Sequence, residues 1–349
     1  MIKVGINGIG RIGRAIVRAN NQSKLFEVVA INDINPDINN VAYMMNYDTL
    51  YGRTIPPYEV QDDCVTREGK KIKIFHEQEI DAVDWKSLDA DYIIDASGLS
   101  GNISILRRMR QRGAIKRAFI THSPNDVDFT MVIGANHLSY RPDDHFIIST
   151  SICDATALGP VLKIINDKFG IDNGYVTTLH PWLNYQNLMD GASSSWSVPG
   201  EIYHHYALGR SVDGNIIPKP TSAIEATAKV VNGISEENIG SYSYRTPTAI
   251  VGSADITLNL KKSTNCDSVI EVFDKYQENQ EFRIIKNNIE PLVSLDFLKC
   301  DFSAVVDHRW TKVIDGKLLK LVLWYDNEFG YSSRVVDQIN YVIKQEKMS

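Results

Sequence analysis

Cys153 is a residue whose type and position could supply a nucleophile. The stretch FIISTSICDATALGP at 146–160 begins with an apolar run, continues with three capping hydroxyls and ends in apolar residues at helical spacing. This pattern predicts a strand, a turn and a helix, with Cys153 at or near the first helical residue. Backbone N–H groups and the helix dipole favour a thiolate at such a position. The stretch alone fits a buried structural cysteine equally well.

His180 is the histidine best placed to act with Cys153. It follows GYVTTL at 174–179, a run that predicts a strand, and a side chain at a strand end can reach a cysteine on another element. A single histidine is more often structural than catalytic. A dinucleotide-binding protein favours a catalytic role for the pair of Cys153 and His180, because aldehyde oxidation through a thiol needs a nucleophile and a base.

A glycine-rich turn near the start of the chain predicts a dinucleotide site. The run IKVGIN at 2–7 predicts a strand, and a GxGxxG turn follows it and opens a helix of apolar periodicity. Glycines at these positions permit a tight turn and close approach of a pyrophosphate to the helix N–H groups. The residues of the turn that we expect to contact the cofactor are Gly8, Gly10, Arg11, Ile12 and Gly13.

Asp33 follows the second predicted strand and lies twenty residues beyond Gly13. An acidic side chain there can accept hydrogen bonds from both ribose hydroxyls and repel a 2′-phosphate, which favours NAD over NADP. The alternative is that Asp33 only caps the next helix. Later strand ends in the same sheet should line the cofactor crevice and add candidate contacts at Ser97, Gly98 and Thr121.

The composition excludes several classes of partner. The net charge is −6 and no run of basic residues occurs, so we expect neither nucleic acid nor an anionic membrane as a partner. No apolar run approaches the ~20 residues of a membrane span. The four cysteines form no CxxC and no framework spacing, which argues against a disulfide scaffold and a cysteine-based zinc site. We therefore expect a cytoplasmic protein without a metal site.

The order of predicted elements divides the chain into two domains. Strands and helices alternate through residue 152, which predicts a Rossmann-type, doubly wound α/β domain at 1–152, completed by a terminal helix at about 326–349. Alternation fails in 153–325, which predicts an α+β catalytic domain with a mainly antiparallel sheet. Elements expected along the way are strands at 130–134 and 292–295 and a helix at 221–231. The turn-rich segment 188–214 predicts an ordered functional loop.

Taken together, these motifs make the chain resemble the glyceraldehyde-3-phosphate dehydrogenase family over nearly its whole length. The matching segments are INGIGRIGR at 6–14, IND at 31–33, the cysteine turn, His180, NIIP at 215–218, PLVSLDF at 291–297 and WYDNEFGYSSRVVD at 324–337. The resemblance implies that Cys153 attacks an aldehyde to give a thiohemiacetal and that His180 lowers the cysteine pKa and acts as base. Hydride then passes to the nicotinamide of NAD, and inorganic phosphate or water releases the thioester.

The resemblance also assigns binding roles. Asn327 would orient the nicotinamide amide, and Tyr331 would lie near the same ring. Arg245, in SYRTP, would bind the phosphate of the substrate and inorganic phosphate. Members of the family are commonly homotetramers, so a homo-oligomer is implied.

The cysteine motif departs from the family pattern S-C-T-T-N-C. Hydroxyls that help to hold inorganic phosphate are replaced by Ile152 and Asp154. A carboxylate ~5 Å from a phosphate charge costs roughly 3 kcal/mol per unit charge at an effective dielectric near 20. A typical hydrogen bond contributes only about 1 kcal/mol. Alternatively, Asp154 stabilises the helix start and points away from the site.

Other parts of the phosphate cradle are also changed. Leu183-Asn184-Tyr185 stands where the family carries threonines that contact the substrate's phosphate, and Pro220-Thr221-Ser222 replaces Ser-Thr-Gly. Thr221 and Ser222 stay candidate phosphate ligands. The segment between Asp190 and Asn215 is longer than the family pattern.

Three functional hypotheses follow from these residues. The first is NAD-dependent oxidation of a phosphorylated aldehyde, with glyceraldehyde 3-phosphate as the first candidate. The alternative is a specialised relative that oxidises a sugar-derived or phosphonate aldehyde and releases the acid by hydrolysis. A non-catalytic, NAD-binding assembly protein is the third, and the retention of both Cys153 and His180 argues against it.

Overall fold

The structure, a computed structural model, describes residues 1–193 and 205–348. The chain divides into two compact units. The first comprises Met1–Met131, Leu138–Ser151 and Val335–Ser349, and the second comprises Val132–His137 and Ile152–Arg334. Among the described residues, no helix combines the length and the apolar character that crossing a membrane requires.

The first unit is built on a nine-stranded sheet. The strands of this unit are β1 (Lys3–Asn7), β2 (Glu27–Asn32), β3 (Tyr47–Asp48), β4 (Gly52–Arg53), β5 (Glu59–Gln61), β6 (Cys64–Arg67), β7 (Lys70–Phe75), β8 (Tyr92–Asp95), β9 (Arg117–Ile120), β10 (Phe129–Thr130) and β11 (Ile147–Ser149). Its helices are α1 (Arg11–Ser23), α2 (Ile38–Asn46) and α3 (Asn102–Gln111). The strand order is β10-β11-β9-β8-β1-β2-β7-β6-β5, and β3 pairs with β4 separately.

The pairing within this sheet confirms the predicted doubly wound class. Strands from β10 to β7 are parallel along the path, and β5 and β6 add an antiparallel edge. The path β7-β2-β1-β8-β9-β11 has the order 3-2-1-4-5-6 of a Rossmann fold. Leu106 and Met109 of α3 pack with Ile93, Ala118 and Ile147 of the sheet in one buried apolar cluster.

The second unit is built on an eight-stranded sheet. Its strands are β12 (Ile171–Pro181), β13 (Ile217–Lys219), β14 (Ile239–Thr246), β15 (Gly252–Leu260), β16 (Ile285–Asn288), β17 (Ala304–Asp307), β18 (Lys312–Ile314) and β19 (Leu318–Tyr325). The later helices of the chain are α4 (Cys153–Phe169), α5 (Ala223–Ala228), α6 (Cys266–Asn279) and α7 (Phe329–Met348). The order is β13-β14-β12-β15-β19-β17-β16, with β18 on β19.

Most neighbours in the second sheet are antiparallel, which confirms the predicted α+β character. Only β12–β14 and β16–β17 are parallel pairs among the described strands. Short 3-10 helices occur at Ile80–Ala82, His137–Ser139, Tyr206–Gly209 and Ser294–Phe297.

Three predicted elements are wrong in detail. The strand expected at 292–295 is a 3-10 turn, because the Asp296 carboxylate accepts the N–H of Val293 at 2.8 Å and closes the chain on itself. The strand expected at 130–134 ends at Thr130, since the amide oxygen of Asn136 accepts the N–H of Val132 at 2.9 Å. The helix expected at 221–231 is limited to α5.

Candidate active site

Cys153 is the first residue of α4, as the apolar spacing predicted. The residue before it, Ile152, has extended backbone with φ of −126° and provides no side-chain cap. The apolar positions that predicted the helix are buried, including Leu158 and Leu162. Burial of this apolar surface explains why the helix forms here and fixes the position of the thiol at its start.

The imidazole of His180 lies beside the thiol. The distance from Cys153 Sγ to His180 Nε2 is 3.6 Å. On the other side of the ring, Nδ1 lies 2.8 Å from the carbonyl oxygen of Pro181. A carbonyl can only accept a hydrogen bond, so Nδ1 carries the proton and Nε2 is left as an acceptor facing the thiol. The backbone thus fixes the tautomer in which His180 can take a proton from Cys153.

The backbone N–H groups at the helix start favour a thiolate at Cys153, as expected, but burial and a nearby charge oppose them. Burial and, secondly, the charge of Asp154 raise the pKa of the Cys153 thiol well above its usual value. Burial and the positive charge of Arg245 lower the pKa of His180 to about 4. Desolvation penalises both charged forms and outweighs the backbone N–H groups that favour the thiolate. Burial therefore disfavours both the thiolate of Cys153 and the imidazolium of His180.

The carboxylate of Asp154 points toward the reactive pair, which contradicts the alternative that it points away. Atoms of Cys153, Asp154 and His180 that could bind a metal all lie within 4.8 Å of one another. Asp154 Oδ1 is 3.9 Å from the cysteine sulfur and accepts a 2.6 Å hydrogen bond from the hydroxyl of Tyr325. Burial and the charge of Asp154 raise the pKa of Tyr325, so the phenol keeps the proton that it donates.

Arg245 belongs to the same face of the second sheet as His180. The two residues are paired in register between β12 and β14, and paired residues project their side chains to the same side. Arg245 is only 5% exposed and donates hydrogen bonds to the carbonyl of Pro181 at 3.2 Å and to the hydroxyl of Tyr185 at 3.0 Å. Its Nε atom is buried without a hydrogen-bond partner among the described residues.

Lys219 is a charged residue of this site that the sequence reasoning missed. It ends β13 and is paired in register with Ser243, two residues before Arg245 on β14. Within β13, Lys219 shares a face with Ile217, as Ser243 shares one with Arg245 in β14, but only the pairing of the two strands brings these faces together. Burial and the charge of Arg245 lower the pKa of Lys219 to about 8.

Thr221 and Ser222 occupy the link between β13 and α5. The Thr221 hydroxyl accepts the N–H of Ala223 at 3.3 Å, and Ser222 is the residue that precedes the helix. The enlarged segment between 190 and 215 falls partly on residues 194–204, which lie outside the described residues.

The predicted glycine turn in the first unit has a backbone geometry that requires glycine at two of its three glycine positions. Gly8 has a φ of +93°, and a Cβ on Gly13 would lie 2.2 Å from the carbonyl oxygen of Gly8. A Cβ on Gly10 would meet nothing within 4 Å. The first and third glycines are therefore needed for packing. The second faces open space, where a pyrophosphate can approach the helix N–H groups.

Asp33 is tied to this turn and does not cap the next helix. Its carboxylate accepts the N–H of Ile9 at 2.7 Å and that of Asn35 at 2.9 Å. The cap of α2 is Asp37, whose side chain accepts the N–H of Asn39. The alternative structural role proposed for Asp33 is thus wrong, and the carboxylate is held beside the glycine turn.

The other predicted cofactor contacts in the first unit surround the strand ends. Arg11 forms a 2.6 Å ion pair with Asp48, while Ile12 is half-buried in the first turn of α1. The Ser97 hydroxyl donates to the Asp95 carboxylate at 2.7 Å, and the N–H of Thr121 donates to the Asp95 carbonyl at 3.1 Å. Gly98, beside Ser97, has a φ of +77°.

Asn327 and Tyr331 belong to the second unit. Asn327 is 5% exposed, and its Oδ1 atom has no hydrogen-bond partner among residues 1–193 and 205–348. Tyr331 is buried near the start of α7. A buried amide oxygen without a partner is costly, so Asn327 is suited to accept a hydrogen bond from a carboxamide such as that of nicotinamide.

The thiol, carboxylate and imidazole of the site are also ligand types that Zn²⁺ accepts. Three such groups within 4.8 Å could hold an ion if a fourth ligand completed a tetrahedron. Binding of an ion would engage the sulfur and remove the nucleophile.

Comparison with protein families now decides the relationship. The model of the glyceraldehyde 3-phosphate dehydrogenase NAD binding domain matches residues 2–102, and that of the C-terminal domain of the same enzyme matches residues 152–327. The chain belongs to the glyceraldehyde-3-phosphate dehydrogenase family. The C-terminal model covers the cysteine, His180 and Arg245, and the NAD-binding model covers the glycine turn and Asp33.

Curated members of the family match over nearly the full length. The cytosolic glyceraldehyde-3-phosphate dehydrogenase of Chlamydomonas reinhardtii is 36% identical over 99% of this chain and 97% of its own length. Glyceraldehyde-3-phosphate dehydrogenase 1 of Saccharomyces cerevisiae is 35% identical over 99% of this chain and 100% of its own. Glyceraldehyde-3-phosphate dehydrogenase 1 of Bacillus cereus is 32% identical over 98% of both.

Proposed function

We propose that the chain is an NAD-dependent dehydrogenase that oxidises glyceraldehyde 3-phosphate through a covalent intermediate on Cys153. The observation that carries the proposal is the 3.6 Å approach of His180 Nε2 to Cys153 Sγ, with the tautomer fixed by Pro181, in a member of this family. The family and the relatives' names favour this substrate over a different aldehyde with hydrolytic release.

The first step is addition of the thiol to the aldehyde. As Sγ attacks the carbonyl carbon, the thiol proton moves to Nε2 of His180 and then to the carbonyl oxygen, giving a neutral thiohemiacetal. Because burial disfavours both charged forms, His180 works here as a general base that takes the thiol proton as the C–S bond forms.

The second step is oxidation of the thiohemiacetal. NAD, when bound, supplies the acceptor for the hydride that leaves the substrate carbon. His180 Nε2 takes the hydroxyl proton as that hydride leaves, and a thioester remains on Cys153. Attack of inorganic phosphate or water on the thioester then restores the thiol, and phosphate gives an acyl phosphate.

We assign the binding roles by the same reasoning. Arg245 binds a phosphate group, and Thr221 and Ser222 contribute the hydroxyls that are left of the cradle. The charge of Asp154 repels a phosphate anion that approaches the thiol. It therefore weakens the binding of inorganic phosphate more than the binding of an uncharged acyl acceptor. The carboxylate of Asp154 thereby influences which acyl acceptor, inorganic phosphate or water, releases the thioester in this chain.

The cofactor site fits NAD. Gly8, Gly10 and Gly13 shape a turn that is open where the pyrophosphate must approach. Asp33 is placed beside that turn to accept hydrogen bonds from the ribose hydroxyls. We also propose roles for the remaining candidates, with Asn327 and Tyr331 at the nicotinamide and Arg11, Ile12, Ser97, Gly98 and Thr121 along the crevice. We propose an NAD-binding domain at 1–152, completed by 326–349, and a catalytic domain at 153–325, although by compactness alone the second unit runs to Arg334.

We further propose a cytoplasmic homotetramer. The face of the second sheet opposite His180 and Arg245 exposes large apolar side chains, with Tyr175 65%, Leu179 38% and Tyr242 42% exposed. Such a face is suited to cover the same face of another copy of the chain. Light scattering on the purified protein tests this, and a monomer at micromolar concentration would contradict it.

NADH formation from glyceraldehyde 3-phosphate and NAD tests the proposed reaction. We expect turnover by the wild type, none by Cys153→Ala, and a loss of about 10²–10⁴-fold in His180→Asn, which lacks the base. The matched control is Cys266→Ala, because the Cys266 thiol contacts the Thr311 carbonyl and lies outside the site. Equal activity in Cys153→Ala and the wild type would overturn the mechanism.

A further inference from the structure

Lys219 lies on the face of the sheet that carries the catalytic histidine. In β13, Ile217 is paired with Arg245, and Lys219 is paired with Ser243. In β12, His180 is paired with Arg245. Because paired residues and residues two apart share a face, the side chains of Lys219, Arg245 and His180 all project to one side.

The distance from Lys219 to Arg245 is within the reach of a lysine side chain. The two are diagonal neighbours across an antiparallel pair, a relationship that separates the Cα atoms by about 7–8 Å. Thr178 and Ser243 confirm that this face is continuous, since their buried hydroxyls form a 2.8 Å hydrogen bond between β12 and β14. The lysine can therefore serve the same ligand as the arginine.

The ammonium group of Lys219 forms no ion pair with a carboxylate in the part of the chain that the structure describes. Its side chain is partly buried, and residues 1–193 and 205–348 supply it with no hydrogen bond. The charge of Arg245 adds to burial in lowering the pKa of Lys219, whereas the charge of Asp154 raises it. A partly buried, unpaired cation beside a second cation is costly unless an anion binds there.

The charges of the site leave one positive charge uncompensated. Asp154 and Arg245 carry opposite charges, and burial disfavours the charged forms of the thiol and the imidazole. Lys219 therefore decides whether the site attracts or merely tolerates an anion. Arg245 is also incompletely satisfied, because its buried Nε atom has no partner among the described residues.

We propose that Lys219 and Arg245 together bind one phosphate group in this site, with Lys219 supplying the charge that offsets Asp154. The inference rests on the proposed function, which brings two phosphates to the site, one on the aldehyde and one as inorganic phosphate. Both have the same recognition chemistry, a tetrahedral dianion held by an ammonium and a guanidinium.

The test compares Lys219→Met, which removes the charge and keeps the length, with Lys219→Arg, which keeps the charge. Lys163→Met is the matched control, because Lys163 lies on α4 and pairs with Asp167 at the surface. The readout is the ratio of kcat/KM for glyceraldehyde 3-phosphate to kcat/KM for unphosphorylated glyceraldehyde. We expect this ratio to fall at least tenfold in Lys219→Met and to recover in Lys219→Arg.

A second arm distinguishes the two phosphates. A fall in the ratio of the kcat/KM values for the two aldehydes, together with an unaltered KM for inorganic phosphate, assigns Lys219 to the substrate's phosphate. A tenfold rise in the KM for inorganic phosphate with an unaltered ratio assigns it to the acyl acceptor. Equal losses on both aldehydes, or no change in either arm, would overturn the proposal, because a structural role does not discriminate between ligands by charge.

Calorimetric titration of inorganic phosphate into each variant separates failure of this inference from failure of the proposed function. If the wild type binds phosphate at least tenfold more tightly than Lys219→Met but does not oxidise glyceraldehyde 3-phosphate, the anion site stands and the function fails. If the wild type oxidises that aldehyde and Lys219→Met matches it in turnover and in phosphate affinity, the function stands and the inference fails.

Discussion

The hydroxyl of Tyr325 donates a 2.6 Å hydrogen bond to the carboxylate of Asp154, the residue that directly follows Cys153. Tyr325 ends β19 and is paired with Gly252, where an added Cβ would come within 2.8 Å of the tyrosine ring. The absence of a side chain at Gly252 thus lets the phenol lie where it reaches Asp154. The sheet thereby holds a carboxylate beside a thiol that has to lose its proton during the reaction.

Removing the charge of Asp154 should make the thiol more reactive. Asp154→Asn removes one of the two main causes that raise the pKa of Cys153. We expect a tenfold faster labelling at pH 7.5, which corresponds to a fall of about one unit in that pKa. The measurement is the rate of iodoacetamide labelling of Cys153 by mass spectrometry. Asp167→Asn on the exposed side of α4 is the control. An unchanged or slower rate in Asp154→Asn would show that the carboxylate does not oppose the thiolate.

Loss of the Tyr325 hydroxyl should destabilise the fold. Tyr325→Phe leaves a buried carboxylate oxygen without its donor, a change that costs about 1–3 kcal/mol. The midpoint of urea unfolding should fall accordingly. Tyr43→Phe is the control, because Tyr43 is 63% exposed. Equal midpoints for the two variants would mean that water replaces the phenol without cost.

Activity on the phosphorylated aldehyde should decline in alkaline solution. The pKa of Lys219 is lowered to about 8, so the side chain is charged below that pH and loses its charge above it. His180 has a pKa of about 4 and stays an unprotonated base throughout this range. We expect kcat/KM for glyceraldehyde 3-phosphate to fall above pH 8 in the wild type. In Lys219→Arg the fall should move to higher pH, since a guanidinium keeps its proton. The same alkaline limb in both proteins would contradict this assignment.

Replacing Asp33 should relax the preference for NAD. The carboxylate repels a 2′-phosphate, and two unit charges ~5 Å apart repel by roughly 3 kcal/mol at an effective dielectric near 20. In Asp33→Ser we expect the ratio of kcat/KM for NADP to that for NAD to rise at least tenfold. Asp37→Ser keeps a helix cap and serves as the control. An unchanged ratio would mean that Asp33 only supports the glycine turn.

Local sequence patterns predicted the elements that carry the chemistry. The helix start at Cys153 and the turn at Gly8 follow from spacing within a few residues, and the doubly wound class of the first sheet follows from the alternation of strands and helices. These features depend on neighbours along the chain, so the sequence was sufficient to place them.

The features that the sequence did not reveal arise from residues distant in the chain. The pKa of Cys153 is set by burial and by Asp154, whose direction is fixed by Tyr325 from β19. Lys219 joins the site only because β13 pairs with β14, in a register that no local pattern specifies. The side-chain bond of Asp296 likewise replaced an expected strand by a turn.

The most direct test of the covalent mechanism is a rapid-mixing measurement of NADH without inorganic phosphate. Glyceraldehyde 3-phosphate and excess NAD are mixed with the purified protein, and absorbance is followed through the first turnover. If Cys153 forms a thioester, we expect a burst of about one NADH per chain, a slow phase that phosphate accelerates, and no burst in Cys153→Ala. Steady formation of NADH without a burst in the wild type, or an intact burst in Cys153→Ala, would contradict the account.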